Sequence, residues 1–334
     1  MKKLVLVATL AASAAAFAGS ASAQDIFALV PKNMNNPFFD QARDGCKKAE
    51  AESNGAFVCE YIGPGEHGGG EEQVQIVMDL VARGNVKGIG VAPANAAAMA
   101  VALEAAKEAG IPVLTWDSDT LPENMDLRAA YIGTHNYEIG VNLAKLAMKI
   151  KPDGGTVCIQ SGGAAAANHN ERMQGIRDTL GGMSGTKSPG ERLTGQNGWT
   201  EADGCPLYTN DDFPLSVQQF EDFMAANPGV DAFLPTGGFP QFVPDANRAA
   251  VEQYKEDIAS GKLALVVADT LPVQIDQMKE GYSAGQVGQR PFEMGYQVMK
   301  AFAKIAAGGD APADPTYTGL DVCTMENVDT CIAQ

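Results

Sequence analysis

Short apolar runs that stop abruptly at polar residues, each followed by a helical pattern, recur along this chain of 334 residues. Residues 26–30, 57–62, 88–91 and 113–116 are such runs, separated by helical stretches at 37–52, 74–81 and 95–109. A continuous apolar run is the signature of a strand buried on both faces, in a parallel sheet covered by helices. After a short strand at 130–133 the alternation restarts. Ile139, Leu143, Leu146 and Ile150 mark a helix face. Strands at 156–160, 232–234, 263–268 and 283–289 then alternate with helices at 168–180, 214–226, 245–258 and 272–280. A last helix covers 294–306, and a proline-rich, weakly extended tail begins at 311. Such repetition predicts an α/β protein of two doubly wound parallel-sheet lobes. The stretch 181–212, rich in Gly, Ser, Thr and Asn, reads as an irregular insertion.

In open sheets of this kind, ligands bind in the crevice beyond the carboxyl ends of the strands. Asp117 stands there, directly after Trp116. A carboxylate accepts from hydroxyls and an indole covers C–H groups, so the pair suits a polyhydroxylated molecule. A strand-end aspartate also serves to cap the next loop, and Asp117 alone does not decide between the two. Asp269 closes a strand of the second half in the same way. Two lobes whose carboxyl edges face each other make a cleft, and the linkers between them allow hinge closure around a ligand. Asn36 and Pro37 are favoured at the cap and first position of a helix. Phe38 and Phe39 behind them are core residues by default. Beside Lys32 and Asn36 they form a wall with polar and apolar faces. Lys32 or Arg172 alone is most often a solvated charge. Near carboxylates they gain meaning, because hydroxyls donate to Asp and accept from Arg, Asn or Gln.

The formal net charge of −17 argues against nucleic acid and anionic membranes as partners. Lys2-Lys3, an apolar stretch at 4–17 and Ala21-Ser22-Ala23 have the form of a secretory signal over 1–23, and no later stretch is long and apolar enough to cross a bilayer. Six cysteines fit an oxidising compartment. Pairing neighbours in sequence gives Cys46–Cys59, Cys158–Cys205 and Cys323–Cys331, the first worth about 3 kcal/mol in the chain-entropy model. No C-x-x-C is present, and His67, His135 and His169 lack partners at helical spacing, so no metal is expected. His169, in the first turn of a helix, reads as solvated. Residues 63–68 match GxGxxG, but they follow the second strand, and Glu66, Glu71 and Glu72 would repel a pyrophosphate. No nucleophile elbow occurs. No catalytic residue and no cofactor are expected.

Several motifs, in this order, resemble the ribose-type periplasmic sugar-binding proteins of ABC transporters. They are Asn35-Asn36-Pro37-Phe38-Phe39, Trp116-Asp117-Ser118-Asp119, Asn168-x-x-Glu171-Arg172-x-x-Gly175, Asp269-Thr270 and Gly285-Gln286-Val287-Gly288-Gln289-Arg290-Pro291. Lys32 and 114–120 are also similar to the autoinducer-2-binding branch and its rhamnose-binding relatives. The resemblance implies a type I periplasmic binding protein fold with a three-segment hinge, crossing near 133–134, 289–290 and 317. The lobes would be 24–133 plus 290–316 and 134–289 plus 317–334. It implies that Lys32, Asn36, Phe38, Phe39 and Asp117 meet the ligand from the first lobe, and Asn168, Arg172, Asp269 and Gln289 from the second. Thr236 and Gly237 stand where ribose binders carry an asparagine–aspartate pair, and Ser118 where they carry an arginine. The implied function is a monomeric periplasmic solute-binding protein, not an enzyme, delivering a small sugar-like ligand to an inner-membrane ABC permease. The same clamp would equally serve a chemoreceptor or a sensory receptor for a signal such as autoinducer-2. A periplasmic glycoside hydrolase using Asp117 and Asp269 as an acid–base pair is the remaining alternative.

Overall fold

The computed structural model describes residues 24–66, 68–183 and 191–332; the expected signal segment, His67 and part of the 181–212 stretch lie outside them. The first sheet holds β1 (Asp25–Val30), β2 (Phe57–Tyr61), β3 (Val86–Val91), β4 (Val113–Trp116) and β5 (Ala130–Gly133). From the far end of the chain it also takes β12 (Thr316–Tyr317), giving the order β12-β5-β4-β3-β1-β2 with every pairing parallel. Side chains alternate across a strand, so β1 feeds two cores. Phe27 and Leu29 face one way, with Trp116 and Ile132, toward α1 (Pro37–Glu52) and α10 (Pro291–Ala306). Ala28 and Val30 face the other way, toward α2 (Glu71–Arg83) and α3 (Ala96–Glu108).

The second sheet repeats the plan with β6 (Gly155–Ser161), β7 (Trp199–Glu201), β8 (Leu207–Tyr208), β9 (Ala232–Pro235), β10 (Ala264–Ala268), β11 (Gly285–Gly288) and β13 (Asp321–Thr324). Its order is β13-β11-β10-β9-β6-β7, with β8 also on β6. Val157 and Ile159 of β6 pack toward α4 (Asn136–Ile150) and α5 (Ala167–Leu180). Cys158 and Phe233 pack on the opposite face with α6 (Phe213–Ala226), α7 (Pro244–Val251) and α8 (Lys255–Ala259). The short α9 (Pro272–Lys279) precedes β11.

Three expectations are corrected. The stretch 181–212 is not wholly irregular, because Trp199–Glu201 and Leu207–Tyr208 both join β6. The tail supplies β13, which runs antiparallel to β11, so the second sheet is not parallel throughout. The helix expected at 245–258 is two helices joined by a 3-10 turn at Glu252–Tyr254. All three disulfides pair as expected, Cys46–Cys59, Cys158–Cys205 and Cys323–Cys331.

Each lobe carries one tight helix crossing made possible by glycine. A Cβ on Gly45 or Gly295 would run into the backbone of the partner helix where α1 meets α10. Gly140 and Gly175 play the same part where α4 meets α5. Close approach of backbones needs a residue without a side chain. These crossings matter for the site, since α1 and α5 both point their N-termini into it. The chain leaves the first sheet after β5, returns to it at α10, and leaves again between β12 and β13.

Candidate functional site

The two sheets present their strand ends to a shared cavity lined by residues of both lobes. From the first lobe come Lys32, Asn36, Phe38, Phe39 and Asp117; from the second come Asn168, Arg172, Gly237, Asp269 and Gln289. The cavity measures about 20 Å3, room for about one water molecule. As it stands the cavity is too small for a ligand with several heavy atoms.

Asp117 follows β4 directly, and its φ of 58° turns the chain sharply at the strand end. Its carbonyl accepts from Tyr131 Oη and from Asn136 Nδ2, each at 3.0 Å. With the backbone pinned, the carboxylate points at cations. Lys32 Nζ lies 3.4 Å from Oδ2 and Arg172 Nη2 lies 3.5 Å from Oδ1. Asn168 Nδ2 donates to Oδ2 at 3.3 Å. All three contacts are long for hydrogen bonds to a carboxylate. Asp117 is 3% exposed and Lys32 1%. Lys32 Nζ also donates to Asn168 Oδ1 at 2.9 Å, tying β1's loop to the N-terminus of α5. That loop is held by Gln73, whose amide donates to the carbonyls of Pro31 and Ala92.

Arg172 is locked from behind. Its guanidinium donates through Nε and Nη2 to Asn136 Oδ1 at 2.9 and 2.7 Å, and through Nη1 to the Thr236 carbonyl at 2.8 Å. Asp269 follows β10 with a φ of 71°, the same left-handed turn as Asp117. Its Oδ1 accepts from Gln289 Nε2 at 2.7 Å and its Oδ2 from the Gly238 N–H at 2.9 Å. Burial pushes its carboxyl above the usual carboxylate range, and Arg172 and the Gln289 hydrogen bond pull the other way. Gln289 Oε1 is buried without a hydrogen-bond partner.

The aromatic wall comes from α1. Asn36 caps the helix by accepting from Phe38 N at 2.9 Å. Phe38 and Phe39 meet edge to face at 5.3 Å, and Phe39 meets Trp116 in the same way at 5.6 Å. Trp116 was expected to offer its own face beside Asp117. It is instead fully buried and backs Phe39, because the strand's alternation turns it into the core. Thr236, expected at the site, does not itself line the cavity: its N–H stays in the ladder on Gln160, and its carbonyl and hydroxyl hold Arg172 and His169 from behind.

The expectation of a solvated His169 is overturned. It is 3% exposed, its Nδ1 lies 2.9 Å from Thr236 Oγ1, and it lines the cavity with Asp211. The reason is that α5 begins inside the cleft, so its first turn has no free face. Asp211, Phe239 and Phe242 also line the cavity and were not foreseen. Asp211 lay within the stretch read as an insertion. The two phenylalanines follow the end of β9, and the rule about strand ends would have pointed to them.

Comparison with known proteins bears on this arrangement. The family model described as periplasmic binding protein domain matches residues 27–310. The ribose import binding protein of Escherichia coli is 24% identical over 313 residues, covering 92% of this chain and 94% of that protein. A solute-binding protein of an ABC transporter from Burkholderia graminis, solved in complex with D-arabinose, is 27% identical with a TM-score of 0.77, covering 93% of this chain and 98% of that one. A glucose-galactose binding protein from Geobacillus stearothermophilus is 26% identical with a TM-score of 0.76, over 91% of this chain and 99% of that one.

Proposed function

The chain belongs to the periplasmic binding protein domain family, and from that premise we propose that it is an exported solute-binding protein of an ABC importer, holding a small polyhydroxylated ligand between its lobes. The observation that carries this reading is the convergence of Asp117 and Asp269, one from each sheet, on a single cavity with Lys32, Arg172 and two phenyl rings. Carboxylates accept from hydroxyls, and ammonium, guanidinium and amide groups donate to them. Phenyl faces cover the C–H side of a sugar ring. The relatives' ligands named above, ribose, D-arabinose and glucose or galactose, are of this class. Binding exchanges the long contacts around Asp117 for shorter ones to the ligand. No bond is made or broken, and affinity is completed when the lobes close.

The two halves of this clamp meet at three crossings, near 133–134, near 289–290 and just after β12, which stays with the first sheet. Arg290 Nη2, 2.8 Å from Asp321 Oδ1, ties two of the crossing segments together. The ligand-loaded chain passes its load to a membrane permease and works in the periplasm as a monomer. A thermal-shift screen over pentoses, hexoses, polyols and cyclitols tests the reading. A ligand that binds only the folded form raises Tm by mass action, by about 2.7 kcal/mol of stability at a hundredfold excess over Kd. The expected result is a shift with one member of these classes and its recovery unchanged after incubation. Chemical conversion of the hit, or no shift with any of them, contradicts the proposal.

A further inference from the structure

On the second lobe the cavity is bounded by the loop after β9, which runs through Thr236 into the 3-10 turn Phe239–Phe242. Of this loop only Gly237, Phe239 and Phe242 line the cavity. Its polar groups are engaged behind them. The Thr236 N–H donates to the Gln160 carbonyl, its carbonyl accepts from Arg172, and its hydroxyl meets His169. The Gly238 N–H donates to Asp269, and the Gly238 carbonyl accepts from the N–H groups of Gln241 and Phe242. What the loop offers a ligand is two phenyl rings and a glycine.

The rings are held in place by a network of buried glutamines. Gln241 Oε1 accepts from Gln274 Nε2 of α9 and from Gln286 Nε2 of β11, each at 2.8 Å. The Gln241 carbonyl accepts from Gln277 Nε2 at 2.9 Å. All four side chains are buried. Glycine makes the room: a Cβ on Gly237 would run into the Phe239 ring, and one on Gly238 into the Phe242 ring. Phe239 also packs on the His169 ring at 5.4 Å, and Phe242 meets Phe213 edge to face at 5.4 Å. Phe242 further packs against the apolar cluster of the first lobe that holds Phe38 and Phe39. An apolar surface therefore crosses the cleft here, whereas the charged groups gather at the node of Lys32, Asp117 and Arg172.

We propose that Phe239 and Phe242 are specificity-determining residues, and that the ligand is a deoxy sugar whose missing hydroxyl faces them. The inference rests on the reading that the cleft holds a sugar-like molecule, and it narrows that class. A methyl or methylene group set against phenyl rings gains by leaving water. A hydroxyl in the same place gives up its water partners and finds no replacement on this loop. The wall is fixed in advance by the glutamines, so the discrimination carries little ordering cost. An apolar pocket rejects an added hydroxyl by at most about a hundredfold, so a preference of about tenfold or more is expected.

Calorimetric titration of the mature chain with matched sugars tests this. The pairs are D-galactose, D-glucose and L-mannose, each beside its 6-deoxy form, and D-ribose beside its 2-deoxy and 5-deoxy forms. In at least one pair the deoxy member should bind about tenfold more tightly than its parent. Phe239→Ala and Phe242→Ala should each reduce that preference to about threefold, because the discrimination comes from the rings they remove. A purely structural loss would weaken both members alike and leave the ratio where it was. If Phe239→Ala does not fold, Phe242→Ala carries the same test. The proposal is overturned if every sugar that binds does so as tightly with its hydroxyl as without it, or if the preference survives unchanged in the variants. It is also overturned if the thermal screen finds a ligand while no deoxy sugar binds, a result that leaves the reading of the cleft standing. No binder in either set removes both.

Discussion

Asp117 and Asp269 occupy equivalent places in the two lobes, yet their surroundings differ. Both follow a strand end in a left-handed turn, at φ of 58° and 71°. Asp117 is surrounded by Lys32, Arg172 and Asn168 at 3.3 to 3.5 Å, a charged node with no short bond of its own. Asp269 is held by two neutral donors at 2.7 and 2.9 Å, and burial raises its pKa. The backbone device is shared, and the electrostatic company sets the role. Asp117 neutralises the cations that reach it from both lobes and, in the proposed clamp, keeps acceptor capacity for the ligand. Asp269 is oriented in advance and, in the proposed clamp, supplies a fixed acceptor on the second lobe.

If that contrast is right, the largest loss follows removal of Asp117. Asp117→Ala leaves Lys32 and Arg172 buried without their carboxylate, a defect of about 3 kcal/mol, or roughly a hundredfold in Kd for the ligand identified by the screen. Calorimetry that finds less than a tenfold change would remove the distinction between the two aspartates. Asp269→Ala frees two neutral donors, which costs about 1–2 kcal/mol, so roughly tenfold weaker binding is expected from the same titration. His169→Ala removes the contact to Thr236, the 3.7 Å approach to Asp211 and the ring contact with Phe239 at the cavity edge. About fivefold weaker binding with a small fall in Tm is expected, and a larger effect on binding would move the centre of the site toward Asp211.

The smallest effect concerns Glu171. Its folded pKa of about 7 lies above its ordinary value of 4.5, so the folded chain binds more protons than the unfolded one between those values. Stability contributed by this group is therefore present below about pH 4.5 and lost as pH rises toward 7. Glu171→Gln should flatten that slope. The group keeps an exposed edge and is partly screened, so a difference of about 2 °C or less in Tm between variant and parent at pH 8 is expected. A parallel pair of Tm–pH curves would show that Glu171 is unperturbed.

Much of this architecture was legible in the chain. Buried parallel strands carry a period and a stop that composition alone enforces, so β1 through β6 and β9 through β11 could be placed from apolar runs. The residues that reach across the cleft were legible for a different reason: strand-end aspartates and a capped helix start are local features. What escaped was non-local. β7 and β8 are three- and two-residue strands that both lean on β6, and β13 is antiparallel because the chain returns from the other lobe. Asn136 and Gln73 carry no sequence signal, since each works by holding a backbone or side chain brought near by the fold. His169 was misjudged because helical spacing says which residues share a face, and not what covers it.

A double-variant cycle on Asp117 and Asp269, read by calorimetry with one and the same ligand, tests the central claim most directly. A grip from two lobes predicts that each single alanine variant weakens binding and that the double variant weakens it by less than the product of the two, because both touch one guest and share one closure. If either aspartate can be removed without changing affinity for that ligand, the two side chains do not serve a common site and the clamp is wrong.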